Sequence, residues 1–171
     1  MSAHRSMFAM VMLASASAAS AQPAPTAKPC AAAEKHQLDF WVGDWTVFDT
    51  AKGYQAGTSK IEAVAGGCAI RESFAAPEAP GGTYAGTSYS AFNSNEAKWH
   101  QFYVDTNGNA TWYAGSFVTP DMVLFAPGKA GVTQRMTYHP LPDGSVEQIG
   151  VISTDGGKSW QPGYDYTYRR K

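Results

Sequence analysis

From Lys35 onward, apolar and polar residues alternate with a period of two, in short runs separated by turn residues. No window sustains the 3.6-residue apolar spacing of an amphipathic helix, so the pattern predicts an all-β chain. Strands are expected at about 38–48, 55–65, 68–75, 83–93, 98–105, 109–118, 121–126, 132–139, 146–153 and 163–169. Between them stand residues that tolerate positive φ, above all Asn107-Gly108 and Asp143-Gly144, the pairings favoured in tight hairpins. Ten consecutive strands joined by short turns predict an antiparallel up-and-down β-barrel, because closure removes the exposed edges. A two-sheet sandwich is the alternative. The Ala-Ala-Ala-Glu-Lys run suggests a short helix at 32–38, placed to plug one end.

The stretch Leu38-Asp-Phe-Trp-Val-Gly-Asp-Trp-Thr-Val47 sets two tryptophans four residues apart around a glycine. Read as a strand, it places Trp41, Gly43, Trp45 and Val47 on one side and Phe40, Val42, Asp44 and Thr46 on the other. Both sides are largely apolar, as expected where a strand is covered on both faces or crosses a barrel. The interior should therefore be aromatic.

Met1–Ala21 reads as a secretory signal, with Arg5 in the positive region, an apolar run from Met7 to Ala19, and Ala19-Ser20-Ala21 as a cleavage site. That run is shorter than the ~20 residues needed to span a bilayer. Residues 22–34 read as a flexible Pro/Ala-rich leader and 35–171 as one barrel domain. Export implies a periplasmic or secreted location, where Cys30 and Cys68, the only cysteines, are expected to form a disulfide. In the chain-entropy account such a loop is worth about 3–4 kcal/mol.

The chain carries 13 Lys+Arg against 14 Asp+Glu; without Arg5 the balance is 12 against 14, a net of −2. No basic stripe accompanies it, which argues against nucleic acid and against a charged membrane surface. No metal-ligand spacing and no nucleophile elbow occur, so neither a metal nor a cofactor is expected. His100 should face outward, being out of phase with Trp99 and Gln101, and His36 should lie near a barrel end. Ser153-Thr-Asp-Gly-Gly-Lys-Ser-Trp160 is similar to the Asp-box of sialidase-type propellers. A single copy reads as a hairpin staple, with Asp155 bound to turn amides.

Leu38-Asp-Phe-Trp-Val-Gly-Asp-Trp45, Gly66-Gly-Cys68, Trp99-His-Gln-Phe-Tyr-Val-Asp105, Asp155-Gly-Gly-Lys-Ser-Trp160 and the Tyr-Arg-Arg ending together resemble a family of secreted bacterial proteins without an assigned function. That family resembles the lipocalin-like and nitrobindin-like barrels, and the resemblance covers nearly all of the chain after the signal. Nitrobindin-like barrels hold haem through a histidine on a late strand. This chain has no histidine after His139 and offers Tyr164, Tyr166 and Tyr168 on its last strand, a departure that argues against haem.

Alternation also nominates an interior site. Trp99, Gln101, Tyr103 and Asp105 should share the inward face with Trp41 and Trp45. Ile70, Glu72 and Phe74 share one side of their strand, so Glu72 should lie inside, its pKa raised unless a cation or several donors meet it. Arg135 and Gln148 are its candidate partners, and Tyr168 completes the set. These residues suggest a pocket for a small, largely apolar or aromatic molecule. Two other readings stand beside it. One is an isomerase-, cyclase- or lyase-type enzyme with Glu72 or Tyr103 as general acid/base. The other is a structural barrel without a ligand, in which Glu72 pairs with Arg135.

Overall fold

The computed structural model describes residues 30–79 and 81–171. The signal reading of Met1–Ala21 and most of the leader lie outside the described residues. Ten strands follow one another: β1 (Gly43–Asp49), β2 (Gln55–Val64), β3 (Ala69–Ala76), β4 (Tyr84–Asn93), β5 (Lys98–Asp105), β6 (Ala110–Val118), β7 (Asp121–Pro127), β8 (Thr133–Pro140), β9 (Val146–Ser153) and β10 (Gln161–Arg170). Each pairs antiparallel with its neighbours in sequence, and β1 pairs with β10 to close the barrel. The up-and-down barrel is thus the fold, and the sandwich alternative falls.

Alternation decides what is inside. On β3, Ile70 and Glu72 are buried while Arg71, on the opposite face, pairs with Glu62 of β2. On β5, Trp99 and Gln101 are buried, and His100 turns outward to Glu96. Slipping any strand by one residue would exchange these sets, so the buried face fixes the register. Aromatics are not confined to the interior: Tyr89, Phe102 and Trp112 lie side by side across β4, β5 and β6 on the outer surface. There Trp112 is 63% exposed.

The start of the barrel departs from expectation. Asp39–Trp41 is a 3-10 turn, and the first strand begins only at Gly43. The corner is forced at Gly43, whose φ is +152°. That conformation favours glycine, and the Arg170 guanidinium crosses the corner to donate to the Val42 carbonyl at 3.2 Å. Period two cannot distinguish this case, because residues four apart share a side in a strand and in a helical turn alike. The helix expected at 32–38 is likewise a 3-10 turn, Ala33–His36.

This N-terminal segment closes one end of the barrel. Leu38 and Trp41 are fully buried, and the Trp41 ring lies 4.5 Å from Tyr138 and 5.9 Å from Tyr168, centroid to centroid. Trp45 donates its indole N–H to the Trp41 carbonyl at 2.8 Å, and Trp99 donates to Gln37 at 3.0 Å. Cys30 is bonded to Cys68, with Cα atoms 5.1 Å apart, tying the segment to the turn before β3. His36 caps the same segment, bonding Asp39 at 2.7 Å and the Cys30 carbonyl at 2.8 Å. Its pKa is raised mainly by the Asp39 carboxylate.

Candidate functional site

The other end is open, and a cavity of about 180 Å³ runs into the barrel from it. Its wall is unusually rich in phenols: Tyr84, Tyr103, Tyr113, Tyr138, Tyr164, Tyr166 and Tyr168 all face it. Phe74, Tyr84 and Tyr166 also border a broader hollow of about 700 Å³ beside the β3–β4 loop, which marks the mouth.

Glycines make room for these rings. Gly150 of β9 lies opposite Tyr164 of β10, and a Cβ at 150 would stand 2.2 Å from that ring. Gly86 of β4 serves Tyr103 in the same way, with a hypothetical Cβ 2.0 Å from its hydroxyl. Missing side chains on one strand thus admit large ones on the next.

At the mouth, the Tyr84 and Tyr103 hydroxyls are 2.6 Å apart, and Tyr84 donates to Asp105 at 3.1 Å. Asp105 also accepts from Asn107 and Asn109, which hold its pKa low and keep it ionised despite the opposing pull of desolvation. Tyr84 has one proton and gives it to Asp105, so Tyr103 must be the donor to Tyr84. Burial pushes Tyr84 up to about 12 and Tyr103 higher still.

Deeper in, Glu72 is 4% exposed. Its carboxyl accepts from Ser59 at 3.0 Å on one oxygen and Ser88 at 3.3 Å on the other; the Tyr168 hydroxyl, whose single proton is divided between this carboxyl and the nearer Gln148 carbonyl, stands 3.3 Å away. Burial pushes its pKa up to about 7, and the three hydroxyls offset only part of that effect. Gln101 donates to Ser90 at 2.9 Å and to Tyr138 at 3.0 Å; Gln148 accepts from Tyr168 at 2.7 Å. Glu72, Gln101, Tyr103, Gln148 and Tyr168 therefore line one cavity.

Trp41, Trp45 and Trp99 do not line the cavity. They are buried in the closed end. Arg135 is placed wrongly by the sequence reading. On β8 the inward positions are Met136 and Tyr138, so Arg135 points outside, where its guanidinium lies 4.6 Å over the Trp160 ring. The Glu72–Arg135 ion pair does not exist.

The sequence reading missed Phe74, Tyr84, Tyr113, Met136, Tyr138, Tyr164 and Tyr166 as wall residues. A signal was present for the last strand. Tyr164 and Tyr166 are two and four residues before Tyr168, hence on its face, and Gly150 sits across from them. In the Asp-box-like turn, Asp155 accepts from the Lys158 and Ser159 amides, each at 2.9 Å. Ser159 and its amide hold the Asp155 pKa down to about 2. The turn staples the β9–β10 hairpin.

A scan against protein-family models finds no match, and a comparison with curated proteins finds no relative. The ten-strand antiparallel barrel is consistent with a lipocalin-like fold, while membership in a secreted bacterial family has no support from these comparisons.

Proposed function

We propose that this protein binds a small, largely apolar or aromatic molecule inside the barrel. The observation that carries the reading is the cavity: closed at one end by Trp41, open at the other, and walled by phenol rings with a few polar groups between them. Small-molecule sites have this composition, with apolar walls for affinity and a few polar groups for orientation. A dry engineered cavity of roughly 150 Å³ takes up benzene, so about 180 Å³ suits a single ring with a short substituent. Glu72, Gln101, Tyr103, Gln148 and Tyr168 are the proposed contacts. We further infer a periplasmic or secreted location, supported by the Cys30–Cys68 disulfide, since such bonds persist in oxidising compartments. Among the described residues no helix is long and apolar enough to cross a membrane.

The test is titration of the protein with single-ring compounds (phenol, indole, benzyl alcohol), followed by tyrosine and tryptophan fluorescence and by calorimetry. Saturable one-to-one binding that Tyr164→Ala weakens supports the reading. No binding by any of them leaves a barrel without a ligand.

One observation favours proton-transfer catalysis as a second reading: Glu72 lies on the cavity wall with its pKa near 7, where an acid/base group works best. In that case Glu72→Gln abolishes turnover by on the order of 10²-fold or more while the fold survives.

A further inference from the structure

Glu72 is a carboxyl without a cation. No lysine, arginine or histidine lines the cavity among the described residues. The titratable groups facing Glu72 are phenols only: Tyr103 from β5, Tyr138 from β8, and Tyr164 and Tyr168 from β10. Burial raises all four above the ordinary tyrosine value, so none carries charge near neutral pH. From β2 and β4 come the hydroxyls of Ser59 and Ser88, and β9 supplies an amide. Hydroxyls and an amide surround Glu72, yet among the described residues no positive charge neutralises it.

Two consequences follow. Without a partner, an ionised Glu72 is a buried, uncompensated charge, so the empty barrel keeps it protonated over part of the physiological range. An ammonium group entering from the mouth would supply the missing charge, and tyrosine rings stabilise cations against their π faces. Resting on the proposal that the barrel binds a small ring compound, we infer that the preferred ligand class is a primary arylalkylamine, its ring among the tyrosines and its ammonium against Glu72.

The proton balance is simple. The amine enters as R–NH3+, Glu72 goes from carboxylic acid to carboxylate, and one proton leaves to bulk water through the mouth. No covalent bond forms. Below pH 7 the cost of removing that proton grows, so affinity falls toward about 10-fold per pH unit; above pH 7 it levels off.

The experiment compares benzylamine with benzyl alcohol, its neutral analogue of the same shape, by calorimetry between pH 6 and 8 in two buffers of different ionisation enthalpy. Expected is a preference for the amine of about 10-fold or more at pH 8, proton release approaching one per amine at pH 6, and loss of the preference in Glu72→Gln. Should that variant fail to fold, the proton count on the unaltered protein decides alone. Equal binding of both compounds, or amine binding without proton release, overturns the amine inference and leaves interior binding standing. Failure of both compounds, with indole and phenol also silent, overturns both proposals.

Discussion

The ring of Tyr164 occupies the space that a side chain at position 150 would fill. A Cβ on Gly150 would lie 2.2 Å from Cε1 of Tyr164, and the two residues are direct partners across β9 and β10. Gly150 therefore shapes the cavity from behind its wall. Gly150→Ala must push the ring inward or the strands apart, an overpacking that costs about 1–3 kcal/mol. Urea denaturation gives the stability, and binding of a single-ring compound gives the cavity. An alanine variant as stable as the parent would show that Tyr164 has freedom to move aside.

Glu72 makes stability depend on pH in a direction opposite to that of most carboxylates. Its pKa is about 7 in the folded protein against an ordinary value of 4.5. Between these limits the native state holds a proton that the unfolded chain has released, so raising the pH favours unfolding. The contribution is fully present below pH 4.5 and is lost as the pH rises through 7, to the extent of about 3 kcal/mol. Glu72→Gln keeps the shape without the charge. Its melting temperature should exceed that of the parent at pH 8 and match it near pH 4.5. A variant less stable at pH 8 would mean that a cation compensates Glu72 after all.

Glu72 has no ion pair to lose because Arg135 lies outside, against Trp160, and the reason the sequence misplaces Arg135 is local. The inward phase of β3 and β5 was legible because large apolar residues flank Glu72 and Gln101 at two-residue spacing. On β8, Thr-Gln-Arg-Met-Thr-Tyr-His offers polar residues in both phases, so alternation alone left Arg135 free to be drawn inward. The hairpins were legible from their Asn-Gly and Asp-Gly turns. The closed end was not, because its 3-10 turns are set by contacts with Tyr138 and Tyr168, strands distant in sequence.

Cys30→Ser should free the N-terminal segment while leaving the ladder of ten strands intact. Closing a loop with a separation of 38 residues contributes about 3–4 kcal/mol. The variant should therefore unfold at lower denaturant with its far-ultraviolet spectrum preserved. Non-reducing peptide mapping of the parent should recover the Cys30 and Cys68 peptides linked; free thiols on both would refute the bond.

Added haem should produce no Soret band. Among the described residues, no histidine or cysteine lines the cavity, and about 180 Å³ suits one small ring rather than a porphyrin. A stoichiometric band would require the barrel to open widely, and Tyr166, near the mouth, would be the first ligand to replace with phenylalanine.

Trp41 turns the barrel from a tube into a cup. A molecule that enters past Tyr84 and Tyr166, as proposed, would leave the same way. A molecule bound as proposed would have a fixed front and back. For a ligand bound as proposed, a fluorophore or resin tether on the end that points at the β3–β4 loop should leave binding unharmed, while the same tether on the end toward Glu72 should abolish it. The attachment point at which a labelled ligand still binds thus reports its orientation without a second structure.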